Sequence, residues 1–235
     1  MAAFEATERE YGGLREVRFR LGEAPGLLWL PDGEEGPLPL VLIQHPGMSS
    51  KDDALVSGPA RAWATTHRWA CLGLDAPGHG ERAVPDPFAA MRDPDEAAAM
   101  AAQFAGEVAA AVDALAERYP IDVGRLGYYG YSLGAMLGVP AVAGDGRFRA
   151  AVFAAAGTGS LSGPAEGEGS HLAGLRGVAV RVIAKERDEV VSPDATMELY
   201  AGLPGERDLV TLPGGHFAVG DDVVGAAEEW LTAKL

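Results

Sequence analysis

Cysteine is nearly absent from this sequence, and so are long apolar runs. Cys71 is the only cysteine in 235 residues, so no disulfide can form within the chain, and its neighbours Trp69, Ala70 and Leu72 predict a buried strand position. No uninterrupted run approaches the roughly 18 apolar residues of a membrane span, and residues 1–10 carry charges and lack the apolar core of a secretory signal. These absences predict a cytoplasmic protein with no membrane partner.

Positive charge is also scarce. The chain carries 19 Lys and Arg residues against 34 Asp and Glu residues, which gives a formal net charge of −15 at pH 7. Such a surface repels nucleic-acid phosphates, so nucleic acid is not a predicted partner. The sequence has no His, Cys and Asp spacing typical of a metal site, and Gly78-His79-Gly80 lacks the spacing of a dinucleotide-binding loop. We therefore predict neither a metal nor a cofactor.

The chain does contain enough apolar residues for one core. A hydrophobic content of 48% over 235 residues predicts a single domain, 1–235. Four short apolar runs show no polar alternation, which is typical of strands covered on both faces. These runs are residues 40–43, 70–74, 150–154 and 178–183.

Helical patterns lie between the apolar runs. The clearest covers residues 95–119, where apolar residues recur every three or four positions until Pro120. This alternation predicts an α/β fold, with a mostly parallel, doubly wound sheet of about eight strands and helices on both faces. Residues 14–21 and 26–30 predict an antiparallel hairpin ahead of the parallel strands. Residues 158–177, rich in Gly, Ser and Glu, predict a loop or small lid.

One serine lies between two glycines directly after an apolar run. Ser132 is the centre of Gly130-Tyr131-Ser132-Leu133-Gly134, which follows residues 125–129 and precedes a segment that can begin a helix. Small neighbours let the backbone make the sharp strand-to-helix turn that exposes a nucleophilic hydroxyl. The motif is short enough to arise by chance, so the prediction depends on the rest of the chain. Pro140 should kink or end the following helix within about two turns.

A serine nucleophile needs a base, and the base needs a carboxylate that orients it. Asp188 follows the run 178–183 and precedes a segment that begins with Pro193, while His216 lies in a glycine-rich loop after another apolar run. The chain order Ser, Asp, His is typical of a strand-to-helix nucleophile turn. We therefore predict Ser132 as nucleophile, His216 as base and Asp188 as the orienting carboxylate. Three more carboxylates lie close to Asp188 in the sequence: Glu186, Glu189 and Asp194.

An anionic intermediate needs backbone N–H donors close to the serine. The N–H of Leu133 supplies one, because it lies at the start of the predicted helix. The second should come from the loop 44–50, where Gly47 and Met48 are both candidates and Pro46 is excluded because it has no N–H.

These motifs together resemble the α/β-hydrolase fold family, close to its compact carboxylesterases and dienelactone-hydrolase-like members. The resemblance extends over nearly the whole chain. The segment between Phe153 and Val178 is too short for a large helical cap, so we expect no large cap domain. The resemblance rests on His45-Pro46-Gly47-Met48, Asp75-Ala76-Pro77-Gly78-His79-Gly80, the Ser132 motif, Asp188 before Val190-Val191-Ser192-Pro193, and Gly215-His216-Phe217. His45-Pro46 stands where the family commonly has His-Gly. Ser132 stands where dienelactone hydrolases have cysteine, which favours ordinary esters.

The resemblance implies a cofactor-free serine hydrolase, and a carboxylesterase acting on a small-molecule ester is the leading interpretation. Peptidase, thioesterase and acyltransferase activities would use the same three residues, and a ligand-binding module without catalysis is the alternative from another class. We expect residues 84–95 and 158–177 to shape the pocket. His45 and His79 are expected to hold their loops by hydrogen bonds. The protein is expected to be a monomer or a homodimer.

Overall fold

The chain forms one mixed β-sheet with helices on both faces. The computed structural model describes residues 3–33 and 36–235. Residues 1 and 2 of the charged N-terminal stretch lie outside the described residues. Within the described residues the strands are β1 (Phe4–Tyr11), β2 (Leu14–Leu21), β3 (Ala24–Pro31), β4 (Leu38–Gln44), β5 (Ala70–Leu74), β6 (Ile121–Tyr131), β7 (Phe148–Ala154), β8 (Ala179–Arg187) and β9 (Arg207–Gly215). The helices are α1 (Ala54–Thr66), α2 (Pro94–Ala116), α3 (Leu133–Gly144), α4 (Pro193–Gly202) and α5 (Asp221–Thr232).

The strand order is β1-β2-β3-β5-β4-β6-β7-β8-β9. Strands β5, β4, β6, β7, β8 and β9, which are neighbours in that order, pair in parallel. The pairs β1 with β2, β2 with β3 and β3 with β5 are antiparallel. This arrangement confirms the predicted α/β fold with a mostly parallel sheet, and β2 with β3 is the predicted hairpin. The carboxyl ends of β4, β6, β8 and β9 meet at one edge of the sheet, where ligands of such sheets bind.

The buried side chains explain why the parallel strands carry no polar alternation. In β4, Leu40 and Leu42 enter the core on one face, whereas Val41 and Ile43 enter the core on the other. Helices α2 and α3 cover the first face, and α1 and α5 cover the second with Trp63 and Trp230 among their buried residues. By length and composition α2 could cross a membrane, but its buried side chains pack into the first core.

Two sequence predictions need correction. The described chain has nine strands where about eight were expected, because β1 is an edge strand whose residues are nearly all exposed and which therefore shows no burial pattern. Helix α3 includes Pro140 and ends four residues later, at Gly144. Its packing into the core outweighs the single N–H that proline removes, so the helix does not end within about two turns, and a kink at Pro140 stays a prediction.

Candidate active site

Ser132 occupies a strained turn between β6 and α3. Its backbone has φ 52° and ψ −115°, a conformation that residues with side chains rarely adopt. The two glycines of the motif are there because neighbouring backbone comes very close: a Cβ on Gly130 would lie 2.5 Å from the carbonyl of Gly134, and a Cβ on Gly134 would lie 2.5 Å from the Gln44 carbonyl oxygen. The sharp turn therefore needs glycine at both positions.

The structure brings together the three side chains predicted for the triad. Ser132 Oγ lies 2.7 Å from His216 Nε2, and His216 Nδ1 lies 2.9 Å from both carboxylate oxygens of Asp188. These partners assign the ring proton to Nδ1, which donates to Asp188, so that Nε2 accepts from the serine hydroxyl. The His216 and Asp188 side chains are 4% and 6% exposed, so this arrangement is shielded from water.

The loop after β8 decides which neighbouring carboxylate reaches the histidine. Asp188 Oδ1 accepts hydrogen bonds from the N–H groups of Val190 and Val191, at 2.9 and 2.7 Å, which fixes the carboxylate towards the ring. Glu189 accepts instead from the backbone N–H of His216 at 2.8 Å. Glu189 therefore holds the histidine backbone while Asp188 contacts the ring.

Tyr131 holds the other side of the same histidine backbone. Its hydroxyl donates to the His216 carbonyl oxygen at 2.5 Å. Burial raises the pKa of Tyr131, and the negative charge of Asp188 raises it further, so the phenol keeps the proton that it donates. No local sequence pattern signals this contact, because it joins residues 85 positions apart.

The three candidate oxyanion donors line one cavity with Ser132. Leu133 is the first residue of α3, and Gly47 and Met48 follow β4 in the loop opposite. None of their N–H groups donates to another described residue, so all three are free to bind an anion. Met48 has a positive φ of 60° and an 81% exposed side chain, and the Gly47 backbone lies against the ring of Phe88.

His45 and His79 hydrogen-bond to loop backbone. His45 Nδ1 lies 2.7 Å from the Pro46 carbonyl oxygen, while His45 Nε2 accepts from the Ala76 N–H at 3.0 Å. Burial lowers the pKa of His45 to about 4, so its ring is neutral at pH 7. His79 Nδ1 contacts the Pro77 carbonyl oxygen at 2.9 Å, and burial lowers its pKa as well. Neither ring hydrogen-bonds to Ser132, and His45 ties the loop after β4 to the loop after β5.

A buried ion pair reinforces the same two loops. Asp75 accepts from both the N–H and the Nζ of Lys51, each at 2.9 Å, and from the N–H of Glu81 at 2.9 Å. Burial would lower the pKa of Lys51, but hydrogen bonds to Glu81 and Asp75 outweigh it and raise the pKa. Lys51 therefore keeps its charge and fixes the end of the loop that carries Gly47 and Met48.

A cavity of about 510 Å³ opens beside Ser132, and its walls are mostly apolar. The lining residues are Pro46, Gly47, Met48, Leu55, Phe88, Met91, Arg92, Tyr131, Ser132, Leu133, Met136, Val190, His216, Phe217 and Val219. Phe88, Met91 and Arg92 come from the predicted wall segment 84–95. No residue of the segment 158–177 lines the cavity, so its predicted part in shaping the pocket is wrong. That segment packs near the ends of α3 and α4 instead, with Gly174 against Ala143.

Comparison of the fold with solved structures gives close matches over the whole chain. A cold-adapted esterase from an Arctic intertidal metagenomic library, solved with bound PEG, is 25% identical and superimposes with a TM-score of 0.81, covering 99% of this chain and 100% of its own. The chain has the α/β-hydrolase fold. An acetyl xylan esterase from Paenibacillus sp. R4 shares this fold at 17% identity and a TM-score of 0.77, with 100% of this chain and 90% of its own covered. Acetyl xylan esterase 1 from Thermoanaerobacterium sp. JW/SL YS485 shares it at 16% identity, 99% and 88% coverage and a TM-score of 0.68.

Comparison by sequence gives no such relatives, because no family model and no curated protein matches the chain. The likeness in fold is consistent with the compact esterase type that the motifs resemble, and the neighbours named above are esterases. The α/β-hydrolase fold supports many chemistries, so the reaction has to be argued from the site itself.

Proposed function

We propose that the protein is a serine hydrolase that cleaves carboxylic esters through an acyl-enzyme on Ser132. The observation that carries the proposal is the continuous series of hydrogen bonds from Ser132 Oγ through His216 to Asp188. A serine in this arrangement becomes nucleophilic because its proton can move to the histidine as the hydroxyl attacks. The esterase activities of the structural neighbours support the same reaction class.

In the first half of the reaction, Ser132 Oγ attacks the ester carbonyl carbon while His216 Nε2 takes its proton. The carbonyl π electrons move to oxygen, and the resulting oxyanion is bound by the N–H of Leu133 and that of Gly47 or Met48. When the intermediate collapses, His216 returns the proton to the alcohol oxygen as the bond to carbon breaks. Asp188 keeps the ring oriented and stabilises the transient imidazolium charge.

In the second half, water repeats the same steps against the acyl-enzyme. His216 removes a proton from water, the hydroxyl oxygen attacks the acyl carbon, and Ser132 leaves with the proton that His216 returns. The products are a carboxylic acid and the free enzyme. The chemistry needs a small-molecule ester and water, and the nucleophile, the base and the oxyanion donors are all supplied by the protein chain.

The test compares the wild type with Ser132→Ala on p-nitrophenyl butyrate, with folding checked by circular dichroism. We expect turnover to fall at least 10³-fold in the variant, and a fluorophosphonate probe to label the wild type only. Wild-type turnover in Ser132→Ala would disprove the serine mechanism.

The same assays separate the competing functions. A folded wild type that hydrolyses no simple ester but reacts with the probe would favour a thioester, peptide or acyl-transfer substrate. A folded wild type that neither hydrolyses esters nor reacts with the probe would favour a ligand-binding module.

A further inference from the structure

The cavity has two unlike sides, and Ser132 lies between them. In the strand order, β4 and β5 lie on one side of β6, and β8 and β9 lie on the other. Phe88 belongs to the first side, because its ring packs against the Gly47 backbone after β4 and lies 6.3 Å from the ring of His79, which follows β5. Val190 follows β8 and Phe217 follows β9, which puts both on the second side.

The first side encloses a ligand, whereas the second is open. Phe88, Met91 and Met136 are half-buried, and Met136 lies one helical turn after Ser132, whose carbonyl accepts from its N–H at 2.9 Å. Val190 and Phe217 are 57% and 79% exposed. Met48 also follows β4 and is 81% exposed, so the cover on the first side comes from Phe88, Met91 and Met136. A group bound against these three side chains is shielded from water, and a group beyond Val190 and Phe217 is largely in contact with water.

The proposed reaction assigns one half of an ester to each side. The alcohol oxygen must lie close to His216 Nε2, because that atom gives it the proton on leaving. His216 is the residue before Phe217, and their rings are 5.3 Å apart, so the alcohol extends towards the open side. The acyl chain points away from His216 and extends towards the enclosed side.

We propose, on the basis of the proposed ester hydrolysis, that the enzyme selects its substrate by the acyl half. The enclosed side binds an uncharged, unbranched aliphatic acyl chain between Met136 and the pair Phe88 and Met91, and the alcohol half projects past Val190 and Phe217 into solvent. Methionine and phenylalanine offer apolar contact and no strong hydrogen bonds, and methionine adapts its shape to a chain.

Charge on the cavity wall supports an uncharged acyl group. Arg92 is the one Lys or Arg among the residues that line the cavity, and its guanidinium is paired with Asp86. The pair has no net charge and is exposed to water, so it adds little attraction for an acyl carboxylate. A negatively charged acyl chain would lose its hydration on the enclosed side without gaining a partner.

The cavity volume limits the length of the chain. About 510 Å³ has room for roughly 17 groups of water size at ~30 Å³ each. The ester centre and the first atoms of the alcohol share that space with the acyl chain, so the volume limits the length of acyl chain that the enclosed side can hold.

The first experiment measures kcat/KM for two ester series on the wild-type enzyme. In p-nitrophenyl esters from acetate to dodecanoate, we expect kcat/KM to rise up to about fourfold per methylene as far as hexanoate or octanoate and then to fall. In hexanoate esters of methanol, butanol and octanol, which have similar leaving-group chemistry, we expect less than about threefold variation, because the alcohol is largely in water. A flat acyl series, a maximum at acetate, or a steeper alcohol series would overturn the inference.

The second experiment tests whether substitutions in the cavity change the acyl-chain length at which kcat/KM is highest. Met136→Phe should shorten the preferred chain by about two carbons by filling the enclosed side, and Met91→Ala should lengthen it by opening that side. Met91 lies on an exposed segment, so its variant remains informative if Met136→Phe fails to fold. Met197→Ala is the matched control, because Met197 lies on α4, outside the cavity, and is 48% exposed.

The outcomes separate this inference from the proposed function. An optimum that stays in place in both cavity variants, while Ser132→Ala is inactive, would overturn acyl selection by this side and leave the serine mechanism intact. Full turnover in Ser132→Ala would instead disprove the reaction on which the inference rests.

Discussion

The active site combines two regions that are held in different ways. The first, which we call the catalytic framework, consists of the residues that follow β4, β6, β8 and β9, and its key groups are fixed by several hydrogen bonds to other parts of the chain. The second, which we call the cavity wall, is the segment 84–93, where the backbone is irregular and the side chains are exposed or half-buried. The ion pair between Asp86 and Arg92 in this segment has side chains that are 53% and 64% exposed.

This difference indicates that the catalytic framework determines the reaction and that the cavity wall selects the substrate. Groups that move protons must stay within a fraction of an ångström of their partners, and the framework provides this through contacts on several sides of each group. An apolar wall needs only shape, so it can vary without disturbing the chemistry. Substitutions in the framework should therefore lower kcat, and substitutions in the wall should change KM or acyl preference.

The largest effect is expected at Asp188. In Asp188→Asn an amide can present its NH₂ group to His216 Nδ1, which favours the ring tautomer that carries its proton on Nε2 and cannot accept from Ser132. We expect kcat/KM to fall about 10³- to 10⁴-fold, measured with p-nitrophenyl butyrate. Asp194→Asn is the matched control, because Asp194 lies exposed on α4 and makes no contact with His216. Equal losses in both variants would remove Asp188 from the framework.

The second prediction concerns stability of the framework at low pH. The folded protein keeps His45 neutral down to about pH 4, whereas the unfolded chain protonates it near 6.5. The unfolded state therefore binds more protons between these two values, so the free energy of unfolding should fall as pH drops from 6.5 to 4, by about 3 kcal/mol from this group.

Urea unfolding of the wild type and of His45→Gln at several pH values measures this contribution. The other titrating groups are common to both proteins. The difference between the two proteins in how the free energy of unfolding changes with pH therefore gives the contribution of His45. The variant should lose less stability than the wild type on acidification. Identical slopes would show that His45 is not held neutral between its two loops.

These two predictions rest on residues that the sequence already indicated. Ser132, Asp188 and His216 were detectable because each follows an apolar strand, and their chemistry restricts the residue types. The parallel strands were detectable because both of their faces are buried, which leaves continuous apolar runs. At these positions burial or chemical reactivity restricts the residue type, which is why the sequence predicts them.

Other features depend on tertiary contacts that no local pattern signals. Strand β1 has charged and exposed residues, and only its pairing with β2 makes it a strand. The Gly and Ser content of residues 158–177 correctly predicted an irregular backbone. Composition carries no information on tertiary contacts, so it could not show that this segment packs away from the cavity. The contact from Tyr131 to His216 joins the end of β6 to the loop after β9 through one hydroxyl.

The third prediction tests that contact within the framework. Tyr131→Phe keeps the ring and removes the hydrogen bond to the His216 carbonyl, so we expect kcat to fall about three- to tenfold with KM nearly unchanged. Tyr129→Phe is the matched control, because Tyr129 is also buried in β6 and neither lines the cavity nor bonds to His216. A change in KM with constant kcat would mean that Tyr131 shapes the cavity and does not position the base.

The smallest effect is expected at Phe88, where the two regions touch. Phe88→Ala removes apolar surface from the cavity wall, so KM for p-nitrophenyl hexanoate should rise about three- to fivefold while kcat changes less than twofold. Its ring also packs against the Gly47 backbone in the loop proposed to bind the oxyanion. If kcat falls and KM stays constant, Phe88 supports that loop and belongs to the framework. Met197→Ala is the control, because Met197 lies outside the cavity and is 48% exposed, so both constants should stay unchanged.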